Sequence, residues 1–360
     1  MKIVIKVGTQ AILAGDGMAL ESIMILLVEQ IAKLQKQGHH VVLVSSGAVA
    51  SGRRAARALF NREYGTSIGE KQVLASLGQH ELMHRYAEMF KPHGILASQL
   101  LLTKQDFHTR QHYLNIARLL REILEHKNIV PIVNENDSVA IEELMFTDND
   151  ELAGLIAAQM NADKLIILTT VEGVYDMHPD DPNAKCIPLL DPANQRLPEV
   201  SAIKSTHGRG GMVSKLSTAH KMSDLGVTTH IASINQANAI IRLVEGESLG
   251  TTILPKKKKS NIKRWMAFSE GQKSGTITIN LRLYDILKEN KKILSILPVG
   301  IEKCTGNFKK GDLVEILAPN GKKIGVGIAR YDSEQLSVFL GVKDKPEFIH
   351  YDHLHIKIES

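Results

Sequence analysis

Acids and amides gather twice within a short stretch of this 360-residue chain, as Asn134-Glu135-Asn136-Asp137 and as Asp148-Asn149-Asp150. The first group closes an apolar run, 129–133, that reads as a buried strand, and the second opens a helix-like run, 152–158. Carboxylates and amides crowded at a strand end and a helix start are poor core material. They suit the gripping of a polar ligand or the orienting of a cation near phosphates. Either group taken alone also reads as an Asx turn with an N-cap.

Lys6 stands in Ile5-Lys6-Val7-Gly8-Thr9, an apolar strand pattern. An ammonium there needs an anion at the strand end, or solvent at a sheet edge. Gly8 favours the anion, because glycine lets the backbone approach a phosphate closely. Gly208-Arg209-Gly210-Gly211-Met212-Val213-Ser214-Lys215 feeds a helix running to about Leu225. Free N–H groups at such a start, with a lysine one turn in, form an anion site, although a simple flexible connection has the same composition. The order Gly-Gly-x-x-x-Lys is not a Walker A loop. Two lysines and a carboxylate are a kit for phosphoryl transfer, where positioning and charge neutralisation supply nearly all the catalysis. Ser46-Gly47-Ala48 offers a hydroxyl and helix N–H groups to a substrate carboxylate, or an ordinary N-cap. No Gly-x-Ser-x-Gly surrounds it, which argues against a hydrolase elbow. The fifteen histidines lack metal-ligand spacing, and His353 and His355 alternate with Leu354 and Ile356 as the solvent face of a strand, so no protein metal site is expected.

The elements that must hold these residues alternate. Strand patterns at 2–7, 40–44, 95–102, 129–133, 164–168 and 228–232 are separated by helical ones at 19–37, 71–90, 109–126 and 212–225. Apolar strands separated by helices imply a mainly parallel sheet covered on both faces, with ligands beyond the carboxyl ends of its strands. That rule puts Gly8, Ser46, Asn134 and Thr169 on one rim. Four adjacent lysines from Lys256 read as an exposed linker, and beyond it short strands are expected at 275–280, 311–317, 325–329 and 336–340, with Asn320-Gly321 as a hairpin turn. Charge follows the same division: from Lys256 onward 20 Lys and Arg face 12 Asp and Glu, against 24 and 27 before it. At 43% hydrophobic the chain can build two cores, and no apolar run is long enough to cross a membrane. Cys186 and Cys304 have no partner spacing, which fits a reducing cytoplasm, and a strand beginning at Lys2 leaves no room for a signal peptide.

In order along the chain, Val4-Ile5-Lys6-Val7-Gly8-Thr9, Ser46-Gly47-Ala48, Lys71-Gln72 through Gly78-Gln79, Pro131-Ile132-Val133-Asn134-Glu135-Asn136-Asp137, Asp148-Asn149-Asp150 and Gly208-x-Gly210-Gly211-Met212 with Lys215 resemble the amino-acid kinase family. Within that family they resemble the branch that phosphorylates glutamate at the start of proline synthesis. Leu297-Pro298-Val299-Gly300-Ile301, Gly306-Asn307-Phe308, Gly311-Asp312 and Gly327-Ile328-Ala329-Arg330-Tyr331 resemble a PUA domain, which longer members of the branch carry. The resemblance implies an α/β fold, an amino-acid-kinase-like sandwich with a mainly parallel central sheet, plus a small mostly-β PUA-like domain. The kinase domain would span 1–255, a basic linker 256–262 and the second domain 263–357.

The resemblance implies ATP-dependent phosphorylation of the γ-carboxylate of L-glutamate to L-glutamate 5-phosphate, with Mg2+. Lys6, Asp150 and Lys215 would be catalytic, with Asp150 orienting the lysines or assisting the magnesium site. Ser46, Gly47, Asp137 and Asn149 would bind the substrate. ATP would lie over Lys6, Gly8, Thr9, Thr169, Thr170, Arg209, Gly210, Gly211, Met212, Val213, Ser214 and Lys215. It also implies proline as feedback inhibitor and a homo-oligomer, dimer or tetramer, in the cytoplasm. Four positions depart from the family pattern: Thr170 stands for aspartate, Thr147 for glycine, Glu151 for a neutral or basic residue, and Asp176-Met177-His178-Pro179 for a run toward Asp-Pro. The alternatives are another enzyme of the same fold (acetylglutamate kinase, aspartokinase or uridylate kinase), or added RNA binding through the basic tail. The tail has few aromatics for stacking, which favours a regulatory or assembly role there.

Overall fold

A computed structural model describes residues 1–9, 17–60, 63–107, 110–139, 146, 148–178, 181–193, 211–256, 274–289 and 294–356. The chain divides into two compact units, Met1–Gln105 with Asn115–Lys258, and Asp106–Leu114 with Lys259–Ser360.

The first unit is built on strands β1 (Lys2–Val7), β2 (His40–Ser45), β3 (Leu96–Leu102), β4 (Ile129–Glu135), β5 (Lys164–Thr169), β6 (Leu189–Leu190), β7 (Thr228–Ser233) and β8 (Thr251–Ile253). They form one sheet in the order β3-β4-β2-β1-β5-β7-β8-β6. All pairs are parallel except β7 with β8. The helices described before β9 are α1 (Gly17–Lys36), α2 (Ala48–Phe60), α3 (Ile68–Phe90), α4 (Arg110–Glu125), which belongs to the first unit from Asn115 on, α5 (Asn149–Gln159), α6 (Met212–Asp224) and α7 (Ala239–Glu245).

Side chains alternate along a strand, so β1 sends Ile3, Ile5 and Val7 to one core face, where they meet Val41, Leu43, Val130, Ile132 and α1. Each such side chain, fully removed from water, contributes roughly 1.5–3 kcal/mol. Val4 and Lys6 face the other way, toward α5. That helix is apolar nearly all round and almost wholly buried, as a helix wedged between a sheet and α6 must be.

The second unit holds β9 (Gly275–Ile279), α8 (Leu281–Glu289), β10 (Ile301–Gly306), β11 (Leu313–Leu317), β12 (Lys323–Ile328), α9 (Ser333–Phe339) and β13 (Leu354–Ile356), with sheet order β10-β9-β11-β12-β13. Its core packs Ile277, Phe308, Val314, Tyr331 and Phe348. Gly321, at φ +80°, makes the expected Asn-Gly turn between antiparallel β11 and β12.

Three expectations change. The stretch 336–340 is not a strand: Asp332 accepts a hydrogen bond from the Gln335 N–H and caps α9, and Leu336 enters the core with Leu340 packed against it. His353 lies in a short 3-10 turn and His355 is half-buried, so neither lies on the open strand face that their alternation implied. Lys256 is docked rather than free, with Nζ 2.9 Å from Asp224 Oδ1 and its N–H on the Ser223 carbonyl. The other three lysines of that run lie outside the described residues.

Candidate active site

The parallel register aligns the strand ends. Val7 pairs with Ser45 and Leu168, and β4 ends alongside β2, so Gly8, Ser46, Asn134 and Thr169 share one rim. Gly47, at φ +109°, turns the chain from β2 into α2 in a conformation that side chains rarely adopt. Lys6 is the last inward-facing residue of a central strand, only 5% exposed, which rules out the edge-strand reading. Its ammonium folds back over the strand end: a Cβ on Gly8 would stand 3.3 Å from Lys6 Nζ.

Asp148 caps α5, its carboxylate accepting the N–H groups of Asp150 and Glu151 at 2.9 and 3.1 Å. The cap fixes Asp150 in the first turn, with the helix N-terminus behind its carboxylate. Asp150 is fully buried and shared by two cations: Lys6 Nζ lies 2.6 Å from Oδ1 and Lys215 Nζ 3.0 Å from Oδ2. Burial alone would raise the Asp150 pKa, but the two ammonium groups outweigh it and hold the carboxyl below its usual value. Asp148 goes the other way. Burial first, then the Asp150 charge, push its pKa up against hydrogen bonds from Ser214 and the Glu151 N–H. One carboxylate between two ammonium groups leaves a net positive point at the strand ends, fitted to a transferring phosphoryl group.

Gly211 precedes α6 with no side-chain cap, so the first N–H groups of Met212, Val213 and Ser214 are not claimed by one. Lys215, one turn in, is buried against Asp150. Gly211, half-buried Met212 and Ser214, and exposed Val213 therefore sit at a helix start of the anion-binding kind. Thr169 ends β5, with exposed Thr170 next to it. Thr9 directly follows Gly8 and is half-buried. Arg209 and Gly210 lie outside the described residues, as do Thr147 and Pro179. Glu151 is accounted for by its ion pair with Lys104 at 3.4 Å.

Beside this charged centre the amides form a chain. Asn149 Nδ2 donates to Ser46 Oγ at 2.7 Å and to Asn134 Oδ1 at 2.9 Å, and Asn134 Nδ2 donates to Gln79 Oε1 at 2.8 Å. Asn149 Oδ1 is buried with no hydrogen-bond partner among the described residues. Asp137 stands on the wall of a cleft of about 600 Å³ that it shares with Gln79 of this chain and with Ala48, His80 and Glu135. Glu135 is scaffolding, its carboxylate accepting the Phe146 N–H at 2.8 Å.

Gln79 was not singled out by residue type, and neither was the pairing of Asp148 with Ser214. The available signal was Gly78, a glycine inside a 23-residue helix, where it signals close packing. A Cβ there would stand 1.8 Å from the Ala48 carbonyl oxygen, and one on Gly52 would stand 1.9 Å from that of Leu74. Bare backbone contact thus sets α3 against the turn that carries Ser46.

Residues 1–233 match the Amino acid kinase family and residues 275–345 the PUA domain. The chain is 42% identical to the glutamate 5-kinase of Chlorobaculum tepidum over 356 residues, covering 99% of this chain and 97% of that one. It is 41% identical to the glutamate 5-kinase of Bacteroides thetaiotaomicron over 359 residues, covering 99% and 98%. In fold it is similar to carbamate kinase from Giardia lamblia bound to AMP-PNP, with a TM-score of 0.50, 19% identity, and 71% of this chain and 98% of that chain covered. With two curated relatives matched end to end and the sheet, rim and ion triad already in place, this chain belongs to the amino acid kinase family, among its glutamate 5-kinases, and carries a C-terminal PUA domain.

Proposed function

We infer that this chain transfers the γ-phosphoryl group of ATP to the γ-carboxylate of L-glutamate, giving L-glutamate 5-phosphate, the first step of proline synthesis. The observation that carries this reading is the buried Asp150 held between Lys6 and Lys215, beside the Ser46–Asn149 pair. A carboxylate nucleophile is already ionised at neutral pH and needs no general base. Alignment and charge neutralisation are then what a protein must supply.

In this reading Lys6 and Lys215 neutralise the phosphoryl group in flight, and Asp150 keeps their ammonium groups converged despite their repulsion. Ser46 and the backbone at Gly47 donate to a carboxylate of glutamate. Asn149 Oδ1, buried and unclaimed, and Asp137 accept from its ammonium. ATP lies over Gly8, Thr9, Thr169 and Thr170, with its phosphates at the Arg209–Gly210–Gly211–Met212–Val213–Ser214 segment and Lys215.

Both Asp150 oxygens are engaged by lysines, and no group of three or more His, Cys, Asp or Glu among the described residues forms a metal cage. A Mg2+ ion brought by ATP would be held chiefly by the phosphates, the usual habit of this cation, with Asp148 and Asp150 as the nearby carboxylates. Bound there, the ion would neutralise charge on the β- and γ-phosphates. The family also supports a cytoplasmic homo-oligomer inhibited by proline, with the C-terminal unit regulating or assembling it.

The test is product capture. With ATP, Mg2+ and hydroxylamine, L-glutamate should yield the γ-hydroxamate that an acyl phosphate forms. Transfer to N-acetylglutamate, aspartate or UMP, with none to glutamate, would overturn the reading.

A further inference from the structure

The amide chain beside the ion triad has a fixed sense, and that sense can be deduced from one donor that cannot be reversed. The backbone N–H of Glu135 donates to Asn134 Oδ1 at 2.9 Å. A backbone N–H can only donate, so the Asn134 oxygen must face it and the Asn134 amino group must face Gln79. The Gln79 atom toward Asn134 is therefore its oxygen, at 2.8 Å. With Asn134 Oδ1 an acceptor, Asn149 must turn its amino group toward it, and the same amino group reaches Ser46 Oγ at 2.7 Å. Ser46 then spends a lone pair on Asn149, and its own O–H is the donor left over.

An ionised carboxylate only accepts hydrogen bonds. A hydroxyl whose hydrogen is turned away from Asn149 and toward the ligand side recognises it, whereas a freely rotating hydroxyl serves a donor equally well. Gln79 stands at the far end of this relay, 8% exposed, and lines the cleft that also holds Asp137. Its backbone is pinned by its neighbour Gly78, whose missing Cβ lets α3 touch the Ala48 carbonyl, two residues beyond Ser46.

We propose that Gln79 is a positioning residue for substrate recognition: by accepting from Asn134 it holds the Asn134 and Asn149 amides in the sense that turns the Ser46 hydroxyl hydrogen toward the substrate carboxylate. This rests on the reading of Ser46 and Asn149 as the glutamate grip. Removing the Gln79 oxygen leaves a buried amino group on Asn134 unsatisfied, and the relay relaxes by turning that amide or admitting water.

The full-length enzyme, assayed with glutamate and ATP varied separately, tests it. Gln79→Leu should raise KM for glutamate about tenfold, with kcat and KM for ATP held within about twofold and Tm within a few degrees. Gln79→Glu keeps an oxygen toward Asn134 and should restore most of the affinity lost in Gln79→Leu. An unchanged glutamate KM in Gln79→Leu, a Gln79→Glu variant as impaired as Gln79→Leu, or a parallel shift of both KM values with a lower Tm would overturn the proposal. Ser46→Ala separates the two levels. If it raises the glutamate KM while Gln79→Leu does not, the relay fails and the grip stands; if it leaves that KM unchanged, the grip itself fails and takes the relay with it.

Discussion

Lys6 and Asp150 meet at 2.6 Å with the carboxylate fully buried and the lysine nearly so, and Lys215 takes the opposite oxygen of the same carboxylate. Replacing Asp150 by Asn keeps the shape and removes the charge that holds two buried ammonium groups together. We expect Asp150→Asn to lose about 10²–10³ in kcat and about 3 kcal/mol of stability. Lys215→Ala, which leaves the Lys6 pair intact, should lose about 10² in kcat with less damage to the fold. Steady-state kinetics beside thermal unfolding separates the two effects, and a kcat within tenfold of the parent in both variants would remove these groups from the transfer step.

The crossing of α3 with α2 offers a comparison inside one helix. Alanine is ordinarily worth up to about 1 kcal/mol over glycine in a helix. At Gly78 the added methyl meets the Ala48 carbonyl and the Gly52 nitrogen, 1.8 and 2.2 Å away, and both are backbone. Gly78→Ala should therefore destabilise by roughly 2–3 kcal/mol through forced separation of the helices. Gly69→Ala, in the first turn of the same helix and with nothing within 4 Å, should stabilise by a few tenths of a kcal/mol, up to about 1. Urea unfolding reports both, and equal behaviour of the two variants would refute the close-contact account.

His230 sets an acid limit on stability. It is buried on β7, its Nδ1 3.0 Å from Thr252 Oγ1, and burial, aided by the Lys164 charge, lowers its pKa from 6.5 to about 4. The unfolded chain takes up this proton first as pH falls, so the contribution is whole above pH 6.5 and is lost on descent through about pH 4. The difference amounts to about 3 kcal/mol. Urea midpoints at pH 7 and pH 4.5 should diverge in the parent and converge in His230→Gln, and an unchanged slope in the variant would assign the effect elsewhere.

Asp148 caps α5 at some electrostatic cost in the ligand-free protein. Its raised pKa means that folding shifts this carboxyl toward protonation relative to the unfolded chain, so its charge costs some stability at neutral pH. Asp148→Asn keeps the oxygen that receives the Asp150 and Glu151 N–H groups and should leave stability equal or up to about 1 kcal/mol higher. Asp148→Ala removes the cap and should lower it by about 1 kcal/mol. Unfolding of the ligand-free protein at pH 7 measures both, and a large loss in Asp148→Asn would show that the charge itself is needed.

Those parts of this protein written in single residues or local runs were legible beforehand. Lys6 on an apolar strand, the Asp148 cap and the glycine start of α6 are local statements of chemistry. The central strands read through because strands covered on both faces are continuously apolar. The short elements did not. Leu336 to Leu340 has the composition of a strand, and only the Asp332 cap makes it helical. β6, of two residues, carries no pattern at all. The amide relay was invisible for a different reason: Gln79 and Asn134 are 55 positions apart, and each alone is an ordinary polar residue. Both stand in segments that carry the family resemblance, but what joins them is the bare crossing at Gly78, a tertiary fact that neither segment states.

The place of β1 in the sheet has a consequence for how the molecule is made. Its first neighbour, β2, follows within forty residues, but its second, β5, begins only at Lys164. Until the ribosome has delivered that strand, β1 is an open border with unpaired backbone groups along its length, the kind of border that recruits other chains. Lys6 lies on that border, and its partners Asp150 and Lys215 arrive far apart in the order of synthesis. A nascent chain thus carries a cation inside an unfinished seam: its counter-charge Asp150 is made just before β5 closes that border, and Lys215 follows only later, with β7 and β8 still to come.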